Sequence, residues 1–164
     1  MTFALYPDPV LTKKSIFPNA VTDDLLAVGE RLLAAAHESK AFGLAAAHIG
    51  IAAPVIVLNV TPNAPAPEYL VLFNPQIAAA SQDSAEDTEA SVSLPGVQVS
   101  LPRPVWVDVA FDDFKGQARL LHFEDFVARC ACHEIDQVNG IFFLSRLSKL
   151  KRDMVLKKYR KMRS

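Results

Sequence analysis

The stretch Cys132-His133-Glu134-Ile135-Asp136-Gln137-Val138-Asn139-Gly140 concentrates side chains able to do chemistry. It opens as His-Glu-x-x, the start of a two-histidine zinc motif. In such a motif residues i and i+4 share one helix face and hold a cation between two imidazoles, and the Glu between them moves a proton. Here the residue four on from His133 is Gln137. An amide offers a cation only a neutral oxygen, so this helix keeps the proton-transfer carboxylate, Glu134, and a single imidazole. A second stretch, Gly43-Leu44-Ala45-Ala46-Ala47-His48-Ile49-Gly50, carries another histidine among small residues, which let backbone approach a ligand or a neighbouring element closely.

Other elements must bring these residues together. The start, Tyr6-Pro7-Asp8-Pro9-Val10-Leu11, is too rich in proline for a helix and reads as extended chain with turns. Thr22 or Asp23 can cap a helix to about Ser39, with Leu25, Val28, Leu32 and Ala36 as its buried stripe. Strands are expected at 55–60, at 70–73 (ended by Asn74-Pro75), near 97–101, at 105–111 and at 117–123. Asp112-Asp113-Phe114-Lys115-Gly116 makes the hairpin turn between the last two. Residues 81–91 are polar and acidic and read as a loop. Glu124 or Asp125 begins the helix that carries His133, and Asn139-Gly140 ends it with a left-handed residue. A last helix covers roughly 149–161. This order predicts an α+β fold, with largely antiparallel strands around a central motif helix and a basic C-terminal helix.

At 164 residues the chain suits one domain, 1–164, with a substantial core. No apolar run is long enough for a membrane span, and the N-terminus has no basic-then-apolar leader. Cys130 and Cys132, two apart on one helix, face different ways and are not expected to bridge, so a reducing cytoplasm is the default compartment. Charge is unevenly spread. Residues 149–164 hold eight basic side chains against Asp153, while the rest of the chain has nine basic and seventeen acidic. A solvated helix face explains such a tail most simply; attraction to an anionic partner is the other reading.

Three stretches in register resemble the motifs of peptide deformylase, the metallohydrolase that removes the formyl group from nascent N-terminal methionine. The family pattern Gly-x-Gly-Leu-Ala-Ala-x-Gln stands here as Ala41-Phe42-Gly43-Leu44-Ala45-Ala46-Ala47-His48. Glu-Gly-Cys-Leu-Ser stands as Glu89-Ala90-Ser91-Val92-Ser93, and Gln-His-Glu-x-Asp-His as Cys132-His133-Glu134-Ile135-Asp136-Gln137. Pro7-Asp8, Phe73-Asn74-Pro75, Pro95, Arg103 and Gly140 fit as well, so the resemblance covers nearly the whole chain. It implies metal positions at Ser91, His133 and Gln137, a general acid/base at Glu134, an oxyanion donor at the Val92 backbone N–H, and a cleft that includes Gly43, His48, Arg103 and Arg129. The family's metal is ferrous iron or zinc.

Only His133 is a ligand type that the family uses. A serine hydroxyl stays neutral at pH 7 where a thiolate is anionic and soft, and Gln137 is a weak partner for zinc. Holding zinc and activating its water takes about three good protein ligands. The expected cofactor is therefore none, or a weakly bound divalent metal. His48 is expected as a hydrogen-bonded histidine, with a rearranged metal site built on His48, His133 and perhaps Glu134 as the alternative. Cys132, next to His133, points off the ligand face. Arg129 falls where the family has its apolar methionine pocket, so that pocket either accepts a polar or anionic group or is filled by the chain itself. Arg103 is expected to pair with Glu89, along the cleft.

Two functions follow. One is an impaired deformylase or related amide hydrolase. The other is a non-catalytic protein that binds a peptide, or the ribosome, through the cleft and the basic tail. N-formylmethionyl peptide and ribosome are the expected partners, and neither membrane nor DNA is expected.

Overall fold

The computed structural model describes residues 1–164. Helix α1 (Asp23–Ser39) starts where expected, because Thr22 Oγ1 accepts a hydrogen bond from the Leu25 N–H at 3.2 Å. Strands β1 (Gly43–Ala45), β2 (Val55–Asn59), β3 (Tyr69–Ala80), β6 (Trp106–Asp112) and β7 (Ala118–Glu124) form one antiparallel sheet in the order β1-β2-β3-β6-β7. Between β3 and β6 in the chain, β4 (Ser84–Glu89) and β5 (Val99–Pro104) make a separate two-stranded sheet. Helix α2 (Asp125–Val138) carries the His-Glu pair, and α3 (Lys149–Arg163) closes the chain.

Strand alternation decides which helix covers which face of the main sheet. Val55, Val57, Val71 and Phe73 meet Leu25, Leu32 and Ala36 of α1. Ile56, Leu58, Val107 and Val109 meet Ala128, Ala131, Cys132, Ile135 and Val138 of α2. Those α2 positions recur at helical spacing. They leave Arg129 and His133 facing the small sheet, Glu134 facing β1 and His48, and Gln137 facing the N-terminal segment. A third core cluster anchors α3 through Leu156 and Tyr159 against Leu94, Val99 and Phe143. No helix is long and apolar enough to cross a membrane. Cys130 and Cys132 are both free thiols.

Three stretches depart from the sequence expectation. Pro9–Thr12 is a short 3-10 turn rather than extended chain. Proline is tolerated at its first position, and the Asp8 carboxylate accepts from the Val10 N–H at 2.9 Å. β3 runs on through Asn74-Pro75 to Ala80, because a bulge between Phe73 and Gln76, with Asn74 at φ 51°, absorbs the proline's missing N–H. The acidic stretch expected as a loop is strand β4. Its exposed residues show no alternation, and pairing with β5 from Ser84↔Pro104 to Glu89↔Val99 supplies the order.

The end of α2 behaves as expected. Gly140 has φ +77°, and a Cβ there would stand 2.8 Å from the Thr12 carbonyl oxygen, so only glycine lets the N-terminal segment pass this close.

Candidate functional site

A cleft of about 460 Å³ opens between β1 and the end of β4, floored by α2. Its lining includes Phe42 and Gly43 from one wall, Glu89, Ser91 and Val92 from the other, and Arg129, Cys130, His133 and Glu134 below. β1 is the outermost strand of the main sheet, so one edge of its backbone has no strand partner, and Gly43 at its start lines the cleft. Gly43 brings this strand against the helix. A Cβ there would meet both Cγ and Oε2 of Glu134 at 3.2 Å. At the rim, Phe42 and Phe126 pack edge to face with centroids 5.0 Å apart while remaining 49% and 42% exposed.

At the deep end two histidines and a carboxylate converge. His48 Nε2 lies 3.0 Å from Glu134 Oε1, and His48 Nδ1 lies 2.9 Å from Ser93 Oγ. His133 Nδ1 donates to Glu89 Oε1 at 2.8 Å, which leaves Nε2 as the free ring nitrogen. His48, His133 and Glu134 each present a ligand atom within 4.8 Å of the others. The run Ser93–His48–Glu134 has the residue types of a hydrolytic triad. However, Ser93 is 0% exposed and lines no part of the cleft, so its hydroxyl orients His48 and is closed to substrate.

Glu89 is the electrostatic hub of this wall of the cleft. Its carboxylate accepts Arg103 Nε and Nη2 at 2.8 and 2.9 Å, Arg129 Nη1 at 2.9 Å, and His133. Burial by itself would raise this carboxyl. The hydrogen bonds from Arg103 and His133 outweigh it and hold the carboxyl at about 2. For His133, burial opposes the charged form, but the charge of Glu134 and the hydrogen bond to Glu89 prevail and raise the imidazole above its ordinary value. Arg103 also donates to Asp136 Oδ2 at 2.8 Å, and Asp136 in turn holds Arg146. This chain of charges locks α2 to the small sheet.

Among the expected site residues, Gly43, His48, Ser91, Val92, Arg129, His133 and Glu134 all line the cleft. Two do not. Arg103 does pair with Glu89 as expected, but it stands behind the wall rather than along the cleft, because Glu89 and Asp136 take its donors. Gln137 is turned away. Its Nε2 donates to the Leu11 carbonyl at 2.6 Å, and its Oε1 is buried without a partner. Arg129 reaches the cleft floor with its guanidinium already engaged, by Glu89, by the Leu101 carbonyl at 2.8 Å and by the Ala85 carbonyl at 2.7 Å. The chain itself therefore fills this part of the pocket.

The cysteines do not replace a thiolate ligand. Cys132 packs in the sheet-facing core, and burial pushes its thiol up to about 11. Cys130 lines the cleft, but burial and nearby carboxylates raise it to about 12, so it stays protonated. Sequence reading missed Ser93 and the rim pair Phe42–Phe126. Ser93 sits in the second motif, two residues from Ser91, but its partner is 45 residues away.

The metal that the resemblance implies does not find its donors here. At the three expected positions, Ser91 offers a neutral hydroxyl that already accepts from the Ser93 N–H at 3.1 Å, and Gln137 is bound to Leu11. His133 alone keeps a free nitrogen toward the cleft. That set does not fit ferrous iron or zinc.

Comparison with known proteins gives the same framework. The family model for Polypeptide deformylase matches residues 1–153. The chain is 32% identical over 157 residues to a "Peptide deformylase" of Rhizobium meliloti, covering 96% of this chain and 90% of the relative. It is 37% identical over 156 residues to a "Peptide deformylase-like" protein of the same organism, covering 95% and 89%. The crystal structure of peptide deformylase from Ehrlichia chaffeensis superposes with a TM-score of 0.89 at 27% identity, covering 99% of this chain and 96% of that one. With the family model matched over residues 1–153 and the α+β fold shared with solved deformylases, this chain belongs to the polypeptide deformylase family.

Proposed function

We propose that the chain is a single deformylase-fold domain whose cleft binds the N-terminal end of a peptide, formylmethionyl peptides included, without deformylating it. One observation carries this reading. Of the three family ligand positions, only His133 still turns a free donor to the cleft, since Ser91 and Gln137 are neutral and Gln137 is tied to Leu11. Glu134 could still move a proton, but it has no activated water to act on. The binding half of the reading rests on the walls. Ala41, Phe42 and Gly43, at the start of edge strand β1, offer backbone to an extended peptide, and Phe42 and Phe126 offer it an apolar rim. The two free thiols suit the reducing cytoplasm in which such peptides arise.

Formate release from formyl-Met-Ala-Ser, with iron, cobalt, nickel or zinc supplied in turn, tests the reading alongside calorimetric binding of the same peptide. The expected result is binding without turnover. Turnover abolished by Glu134→Ala would overturn the loss of catalysis, and no binding would overturn the peptide reading. The triple variant Ser91→Cys, Gln137→His, His48→Gln restores the family's donors and is expected to gain at least about 100-fold in formate release.

A further inference from the structure

The geometry points to a divalent-metal site different from the family's, made of His48, His133 and Glu134 at the deep end of the cleft. Two imidazoles and a carboxylate form a donor set suited to borderline cations such as zinc and cobalt. Their ligand atoms lie within 4.8 Å of one another. Tetrahedral zinc with bonds of about 2.0–2.1 Å needs them about 3.4 Å apart, so the widest pair closes by roughly 1.4 Å. His48 Nε2 and Glu134 Oε1 are already at 3.0 Å.

A second observation, independent of the cluster, concerns the far nitrogens. A metal-binding imidazole is held at its other ring nitrogen by an oxygen that fixes its orientation. Both histidines meet this condition. His48 Nδ1 has Ser93 Oγ at 2.9 Å, and His133 Nδ1 has Glu89 Oε1 at 2.8 Å. The two anchors are themselves fixed, Ser93 by complete burial and Glu89 by two guanidiniums. A hydroxyl can accept as readily as it donates. His48 can therefore carry its proton on Nδ1, hydrogen-bonded to Ser93, and present the Nε2 lone pair to a cation. The hydrogen bond to Glu134 is then exchanged for a shared ion. The cleft side of the cluster stays open for a fourth donor from solvent or a peptide.

This arrangement differs from the family's in one consequential way. Glu134 becomes a ligand, so a loaded site lacks the free carboxylate that moves the proton in the family reaction. The inference stands apart from the peptide reading, because it concerns the cation alone.

The test is titration of chelator-stripped protein with cobalt(II) chloride, read by calorimetry and by the visible spectrum of bound cobalt. Thermal melts confirm that each variant is folded. The wild type is expected to take up one equivalent, with the intense bands of low-coordinate cobalt. His48→Gln and His133→Gln are each expected to bind at least about tenfold more weakly, and Ser93→Ala about tenfold more weakly with a changed spectrum. Ser91→Ala is expected to match the wild type. If folded wild type binds no cobalt, or if His48→Gln and Ser93→Ala bind as wild type, the site is wrong. Loss of binding in Ser91→Ala would place the cation at the family's position and equally overturn the assignment.

Discussion

His48 Nε2 stands 3.0 Å from Glu134 Oε1 in a buried pair that joins two motifs 86 residues apart in the chain. His48 satisfies a carboxylate on one side and Ser93 on the other. Removing its ring leaves both buried groups unpaired, and an unpaired buried group costs about 1–3 kcal/mol. His48→Leu, which leaves two such groups, is therefore expected to lower unfolding stability by about 2–6 kcal/mol in urea titration. His48→Gln, which keeps a donor and an acceptor, is expected to stay within about 1 kcal/mol of wild type.

Glu89 carries the largest stability effect at the site. Glu89→Gln leaves Arg129 with carbonyl partners only and Arg103 with Asp136. Breaking a buried ion pair from one side costs about 3–5 kcal/mol. Urea unfolding at neutral pH is expected to show a loss of this size.

Two limbs are expected in the pH dependence of stability. Glu89 is depressed to about 2 from an ordinary 4.5, so its contribution is complete above 4.5 and is lost as pH falls toward about 2. His133 is raised from an ordinary 6.5, so its contribution is complete below 6.5 and is lost as pH rises through its folded value. Thermal melts across pH are expected to show greatest stability between these limbs. Glu89→Gln should flatten the acid limb and His133→Gln the alkaline one.

Gly43 holds the cleft wall against Glu134. An added methyl would sit 3.2 Å from Glu134 Cγ and Oε2, closer than ordinary van der Waals contact, so the carboxylate must shift. Gly43→Ala is expected to weaken formyl-Met-Ala-Ser binding about tenfold, with a melting temperature near that of wild type. Calorimetry and thermal melting together check this.

Helix α3 exposes Lys157, Lys158, Arg160 and Lys161 and is anchored through Leu156 and Tyr159 alone among its buried residues. We propose that this face docks on an RNA-rich partner such as the ribosome, and binding through it must then fall with salt. Affinity for ribosomes, read by co-sedimentation, is expected to drop about 50- to 150-fold for four phosphate contacts as salt rises from about 50 to 200 mM. It should vanish in a variant combining Lys157→Glu, Lys158→Glu and Lys161→Glu.

The sequence by itself determined what is local. Helical spacing placed His133, Glu134 and Gln137 on α2, the Thr22 cap and Gly140 bounded their helices, and the resemblance to the family motifs marked Ser91 and Gln137 as positions where that family has other residues. Only the tertiary structure decided which polar groups meet. It made a strand of the acidic 84–89 stretch and set Arg103 behind Glu89. It also turned Gln137 to a carbonyl 126 residues away and joined His48 to Ser93. Periodicity reports which face of an element is buried, because burial repeats along the chain. It carries no record of the partner that a buried donor finds, since that partner is chosen by packing between elements far apart in sequence and by the cost of leaving any of them unpaired.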